Sequence, residues 1–303
     1  MPKLIAAQRI WDRGAYNCFT DLCRHRDRWV CVFREGVAHA GDIGSVRVIV
    51  SDDAEQWQSA AFLERDGVDL RDPKVCVTPD GRLMLLVGGA IDTPDGVLHR
   101  SIVSFSEDAQ SWTPWVQVTP DGHWLWRVTW HRGRAYGVSK LGDGDTPKRG
   151  FLWQSEDGVV HELVHEFEVP AMSETTLRFT EAGEAISLTR RTGPGGGNGW
   201  GGSAAPPYTS WSWHETDYPF GGPNFVIMPD GAMWATSRLY GEQARTALFR
   251  MTREAIDPEL LLPSGGDTSY AGMVLHEGLL WMSYYSGHEE KPCIYLARVA
   301  LGG

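Results

Sequence analysis

Nowhere in this 303-residue chain do apolar residues run for the roughly 20 positions that a membrane-spanning helix needs, so no membrane partner is expected. The opening stretch, Met1 to Ile10, lacks the apolar core of a secretory signal. Cysteine is scarce: Cys18, Cys23, Cys31, Cys76 and Cys293 make an odd set of five with no CxxC pair. That pattern predicts free thiols rather than a disulfide framework. A reducing, cytoplasmic location is therefore expected; an exported protein whose leader precedes this numbering is the alternative. No block of five or six like charges occurs, which excludes a polybasic anchor or a charged tail. The net charge of -11 argues against wrapping nucleic acid, because phosphate neutralisation needs clustered Lys and Arg. No His, Cys, Asp or Glu group has metal-ligand spacing, so neither a metal nor a cofactor is expected. Helical periodicity is nearly absent as well. Its best stretch, Thr252 to Leu262, contains Pro258 and reads as a turn.

Glycine and tryptophan are plentiful, at 35 and 14 residues, as suits short strands, tight turns and indoles packed between sheets. A turn signal flanked by apolar and β-branched residues recurs six times. Its copies are His25-Arg26-Asp27-Arg28, Pro79-Asp80-Gly81, His131-Arg132-Gly133, Glu181-Ala182-Gly183, Pro229-Asp230-Gly231 and His276-Glu277-Gly278. Their spacing of about 50 residues is the period of a four-stranded propeller blade, and each copy reads as a β-hairpin. The chain is thus expected to be all-β, a six-bladed β-propeller of four-stranded antiparallel blades spanning 1–303 as one domain. Five blades is the alternative if one repeat is miscounted. Residues Leu4 to Trp11 are expected to supply the outer strand of the last blade and close the ring.

A second repeat, Ser-x-Asp-Ala-x-x-Trp, covers Ser51 to Trp57 and Ser106 to Trp112, with a partial copy at Ser155-Glu156-Asp157-Gly158. Its Asp can accept from turn amides while its Trp packs below, a structural role. The Gly-rich stretch Gly193 to Gly202 lacks the Lys and following helix of a phosphate loop. It reads as a mobile rim loop on which Trp200 is placed to stack on a sugar.

In a propeller, the starts of the inner strands and the ends of the second strands converge on one face. The starts are Cys18 to Asp21, Asp72, Arg127, Glu174, Asn224 and Asp267 to Tyr270. Arg34, Glu35, Lys140, Arg190, Arg238 and Tyr285 are among the ends. So many ionisable groups aimed at one point imply a solvated, functional cavity.

The Ser-x-Asp-Ala-x-x-Trp repeat resembles the Asp-box of the sialidase (neuraminidase) superfamily, shortened by one residue. That resemblance implies an acid/base aspartate at Asp42, a glutamate at Glu174 in Ser173-Glu174-Thr175-Thr176-Leu177, and arginines at Arg190 and Arg238. It also implies a nucleophilic tyrosine at Tyr270. The family's first arginine would open the first inner strand, where this chain reads Asn17-Cys18-Phe19-Thr20-Asp21-Leu22. Arg34 or Arg127 is a candidate substitute, and Asp21 is placed to bond a sugar hydroxyl instead.

The implied chemistry is that of a retaining exo-glycoside hydrolase acting on a terminal acidic or modified sugar. Glu174 would take the phenol proton as Tyr270 attacks, and Asp42 would serve as acid and then base. Asp72 is a rival acid. His39, Asn224, Glu35 and Asp267 complete the expected carbohydrate-binding set. Two other readings stay open: a non-catalytic carbohydrate-binding propeller, and a polysaccharide lyase using Tyr270 or His39 as base against a uronic acid.

Overall fold

The structure, a computed structural model, describes residues 1–302 and contains only strands and turns. Chain order alone nearly dictates the architecture. Each blade is an up-and-down meander whose successive strands pair antiparallel. Blade 1 comprises β2 (Tyr16–His25), β3 (Arg28–Gly36), β4 (Ser45–Ser51) and β5 (Gln58–Leu63). Blade 2 runs through β6 (Asp69–Val77), β7 (Leu83–Thr93), β8 (Gly96–Ser106) and β9 (Val116–Gln117). In blade 3 the strands are β10 (Trp124–His131), β11 (Arg134–Leu141), β12 (Arg149–Ser155) and β13 (His161–Phe167). Blade 4 follows as β14 (Met172–Phe179), β15 (Ala185–Arg191), β16 (Gly197–Ala204) and β17 (Ser212–Glu215). Blade 5 is β18 (Asn224–Ile227), β19 (Met233–Leu239), β20 (Arg245–Met251) and β21 (Ile256–Leu261). The last blade joins β22 (Thr268–His276), β23 (Leu279–Ser286) and β24 (Cys293–Ala300) to β1 (Lys3–Trp11). Six sheets remove the five-bladed alternative.

Pairing of β1 with β24, Lys3 opposite Ala300 through Trp11 opposite Ile294, joins the two ends of the chain in one sheet. The ring is therefore closed by backbone hydrogen bonds within the last blade, and packing fills the seam between that blade and the first. Its apolar filling includes Trp29 and Trp281, with ring centroids 4.6 Å apart. Each of the six seams between neighbouring blades holds its own buried apolar cluster. No blade buries its faces alone, which makes the ring the unit of stability.

Hairpin turns sit where the sequence placed them. Arg26 and Asp27, with φ of 48° and 64°, turn between β2 and β3; Arg132-Gly133 and Glu277-Gly278 are likewise left-handed at both positions. Such turns match the twist of the flanking strands. The Ser-x-Asp repeat is structural. Asp53 accepts from the N–H groups of Glu55 and Gln56, both at 2.8 Å, while Trp57 Nε1 donates to Ala54 O at 3.0 Å. Asp108 and Asp157 hold their turns in the same way.

Two expectations about local structure fail. Ile256–Leu261 is the outer strand β21 rather than a turn, because an edge strand has no outer partner and tolerates Pro258 without a lost ladder bond. The Gly-rich stretch is largely strand β16 rather than a mobile loop. Its glycines make room for ring faces: a Cβ on Gly199 would lie 2.1 Å from Phe220, on Gly201 2.3 Å from His214, and on Gly202 2.4 Å from Trp213. Trp200 packs near Trp213 under the Arg191 guanidinium, away from the cavity described below.

Gly199→Ala, pressed against the buried Phe220, is expected to cost about 1–3 kcal/mol by overpacking. Gly197→Ala, where the nearest atom to an added Cβ is 3.8 Å away, should stay within about 0.5 kcal/mol of the parent. Urea unfolding midpoints of the two variants check this, and equal midpoints would refute the packing account.

Candidate functional site

Five of the six innermost strands carry the same irregularity near their starts. Between Cys18 and Asp21, Arg71 and Lys74, Leu125 and Val128, Met172 and Thr175, and Ser269 and Gly272, the inner strand advances three residues while its partner advances two. Each is a β-bulge, a device that re-aims a side chain. The residues re-aimed are Phe19, Asp72, Trp126, Glu174 and Tyr270, and all five line one cavity of about 740 Å3. Phe19, Asp72 and Tyr270 have φ of 60°, 48° and 53°, a left-handed backbone that is costly for bulky residues.

Tyr270 and Glu174 face each other across the blade 4 side. The Tyr270 hydroxyl donates to Glu174 Oε1 at 2.8 Å, and Arg190 Nη1 donates to the same carboxylate oxygen at 2.8 Å and to the phenol oxygen at 3.2 Å. Gly222 N–H donates to Glu174 Oε2 at 2.8 Å. Burial would raise the Glu174 pKa, but Arg190, the Gly222 amide and the Tyr270 hydroxyl together hold it below the usual glutamate value. Burial pushes the Tyr270 phenol well up, and the Glu174 charge adds to the rise. At neutral pH the pair is therefore a phenol beside a carboxylate.

Asp72 occupies the opposite electrostatic extreme. Its Oδ1 is buried without a hydrogen-bond partner. Burial raises its pKa against the pull of Lys74 and Arg71, and the Glu174 charge raises it further. Two carboxyls in one cavity are thus pushed apart, one toward the ionised form and one toward the protonated form.

Asp42 also lines the cavity, but its carboxylate is engaged elsewhere. Arg34, fully buried, donates to Asp42 Oδ1 at 2.9 Å, to Ala38 O at 2.8 Å and to Asp69 Oδ1 at 2.8 Å. Against burial, the Val37 amide and Arg34 lower the Asp42 pKa. The loop from Val37 to Gly44 is folded around this one guanidinium and presents His39 to the cavity. Arg34 is therefore a scaffold and not a substrate ligand.

Arg238 and Asp267 lie behind Tyr270. Arg238 Nη2 donates to Asp267 Oδ1 at 2.7 Å, to Thr268 O at 2.7 Å and to Tyr285 Oη at 2.9 Å, and its guanidinium sits 5.7 Å from the Tyr270 ring centroid. Asp267 also accepts from Tyr285 at 2.7 Å and from Tyr16 at 2.5 Å, and His39 Nδ1 lies 2.6 Å from its Oδ2. Burial opposes ionisation there, yet His39, the two tyrosines and Arg238 drive the Asp267 pKa far down. A carboxylate of the chain itself satisfies this arginine.

Four other expected site residues lie elsewhere. Glu35 is spent on Arg47, at 3.0 Å, and on Trp11 Nε1, at 3.1 Å, outside the cavity. Asp21, Arg127 and Asn224 line a separate space lower in the channel. Conversely, Trp126, Phe19, Arg71, Lys140, Trp124 and the His99–Asp143 pair, at 2.9 Å, line the cavity. Of these, only Phe19 and Lys140 fell among the strand ends expected to converge.

The fold has solved counterparts. A Dyadobacter fermentans protein of unknown function is similar over 99% of both chains, with a TM-score of 0.86 and 15% identity. A Trypanosoma rangeli sialidase in complex with sialic acid is similar over 98% of this chain, with a TM-score of 0.74 and 14% identity. This chain spans 57% of that sialidase's length. An alpha-L-arabinofuranosidase mutant from Fusarium graminearum, bound to an iminosugar inhibitor, is similar over 97% of this chain and 98% of its own. Its TM-score is 0.73 and its identity 11%. The chain shares the β-propeller fold with these proteins. No family model matches it, and neither does any curated protein.

Because Asp72 is held in a site that disfavours its charge, Asp72→Asn should raise the melting temperature at pH 7. A raised folded-state pKa means the penalty is absent below the unfolded value and grows as pH rises through the folded one. The gain should therefore vanish below the ordinary aspartate value of 3.8. Calorimetry across pH 3 to 8 checks this, and a gain independent of pH would refute it.

Proposed function

We propose that the protein is a retaining exo-glycoside hydrolase acting on a terminal neutral sugar. The observation that carries this reading is the Tyr270–Glu174–Arg190 cluster sharing one cavity with the partnerless Asp72. Tyr270 attacks the anomeric carbon as Glu174 takes its proton, and Arg190 steadies the developing phenolate. Glu174 acts as base rather than nucleophile because both of its oxygens already accept hydrogen bonds. Asp72, favoured in its protonated form, donates to the leaving oxygen and later takes a proton from the water that displaces Tyr270 from the anomeric carbon, while Glu174 returns its proton to the departing phenolate. It fits this role better than Asp42, whose carboxylate is pinned by Arg34.

Of the acidic or modified terminal sugar expected from sequence, the charge balance disfavours the acidic kind and supports a neutral one. Six carboxyl groups, Asp42, Asp69, Asp72, Asp92, Asp143 and Glu174, line the cavity with two basic side chains, Arg71 and Lys140. Arg71 pairs with Asp69, and Lys140 lies 3.9 Å from Asp143. Arg190 and Arg238 are paired with Glu174 and Asp267. A sugar carboxylate would enter a cavity whose nearby arginines are all engaged by the chain's own carboxylates. A lyase acting on a uronic acid would need a spare cation to neutralise that same carboxylate, and His39 is held against Asp267.

With a panel of neutral and acidic aryl glycosides, Tyr270→Phe, Glu174→Gln and Asp72→Asn should each lower kcat/KM by about 10²–10⁴-fold on a neutral member. Asp42→Asn should act mainly on stability. Trapping with 2-fluoro glycosyl fluorides should label the Tyr270 peptide, as read by mass spectrometry; a label on Glu174 would reassign the nucleophile. Cleavage of acidic members alone would refute the substrate class. Glycan binding without any cleavage would favour the non-catalytic reading.

The pH profile should be bell-shaped. Activity requires Glu174 ionised, so it falls as pH drops through a pKa held below 4.5. It also requires Asp72 protonated, so it falls again as pH rises through a pKa lifted above 3.8. Asp42→Asn should leave the alkaline limb in place. If instead that variant shifts the limb, Asp42 is the acid.

A further inference from the structure

Below the bulges, the central channel opens into a second cavity of about 330 Å3 to which all six innermost strands contribute. Its charged lining is Arg24, Lys74, Arg127 and Arg178 against a single carboxylate, Asp21. Three of these cations are poorly neutralised. Arg127, 8% exposed, donates through Nη1 to Asp21 Oδ2 at 2.7 Å, but its Nε is buried with no partner. Asp21 is shared already, since it accepts from the Val75 amide at 3.0 Å.

Arg178 makes no ion pair among the described residues. Its three bonds, to Thr129 Oγ1 at 2.9 Å, Leu177 O at 2.7 Å and Asn224 Oδ1 at 2.8 Å, go to neutral acceptors. Lys74, 3% exposed, reaches only Pro73 O at 3.3 Å and the face of Trp126 at 4.5 Å. Cations removed from water without counter-charge are strongly disfavoured, and neighbouring like charges add to the cost. Burial pulls Lys74 down to about 8 and Arg178 down to about 9, and Arg127 adds to both.

We propose that this lower channel is a binding site for a small inorganic anion, held by Arg127 and Arg178 with Lys74 at its upper end. Guanidinium groups present several N–H donors in a fixed plane, which suits anion capture in a confined space. The protein carries a net charge of -11, so general attraction does not account for an anion here. The two guanidinium groups that hold the anion, Arg127 and Arg178, line none of the upper cavity, and Lys74 is the one group whose charge acts on both, through Asp72.

Bromide and selenate probe the site, one as a halide and one as an oxyanion. Crystals of the full chain soaked in either salt should show an anomalous peak beside Arg127 and Arg178. A peak with bromide alone assigns a halide site and a peak with selenate alone an oxyanion site; either result supports the proposal. The melting temperature should rise and saturate with the same salt, following one-site linkage. Arg178→Met should weaken that saturable response at least tenfold. If Arg178→Met does not fold, Arg178→Lys, which keeps the charge but loses the planar fork, should weaken it severalfold. A peak without a saturable response is binding at soak concentration only and overturns the proposal. No peak in either soak overturns it as well, as does a response identical in the parent and the variants.

Discussion

Left-handed backbone at a non-glycine residue costs about 1–3 kcal/mol, and Phe19, Asp72 and Tyr270 all adopt it at the heads of inner strands. Such strain persists only where the surroundings over-determine it. Here the ring does so: each inner strand is paired along one side and wedged between neighbouring blades. The extra residue at each bulge turns one side chain out of the sheet's alternation and into the upper cavity. Without those insertions the same strands would present a different set of residues to the channel. The chemistry of the upper face therefore depends on a backbone irregularity repeated five times around the axis.

Charge is distributed along the channel with the same economy. The upper cavity is rich in carboxyl groups, most of them held by an arginine, a lysine or backbone amides; the exceptions are Asp92, which is exposed, and Asp72, whose Oδ1 is buried without a partner. Lower down the sign reverses, with Arg127, Arg178 and Lys74 outnumbering Asp21. Trp126 and Lys74, stacked at 4.5 Å, mark the boundary between the two. Asp267 has a related role behind Tyr270, where it neutralises Arg238 from within the chain. Arg34 does the converse, using one buried cation to fold a loop that carries Asp42 and His39.

Several of these assignments were legible before any coordinates. The resemblance to the sialidase superfamily points to Glu174, Arg190 and Tyr270, and the structure brings them within hydrogen-bond reach of one another. Arg127 was chosen where the structure places Trp126 in the cavity, and Asp21 where it places Phe19. Both errors are displacements of one or two residues along an inner strand. In a strand with period-two alternation, a one-residue shift exchanges the two faces, and nothing in the local composition announces an inserted residue. The Gly-rich segment was misread for a related reason. Glycine marks flexibility when nothing packs on it, but in β16 it marks the close approach of Phe220, His214 and Trp213.

The sequence by itself determined the number of blades, the hairpin positions, the closure by the N-terminal strand and the turn-holding role of the Ser-x-Asp repeats. Those features rest on local periodicity and turn chemistry, which a linear chain displays directly. Only the tertiary structure decided which charges are free and which are already neutralised. Pairings such as Arg34 with Asp69, Arg238 with Asp267 and Arg127 with Asp21 join residues 35, 29 and 106 positions apart. Whether a carboxyl is ionised depends on such distant neighbours and on its burial, and neither is written in the residues beside it.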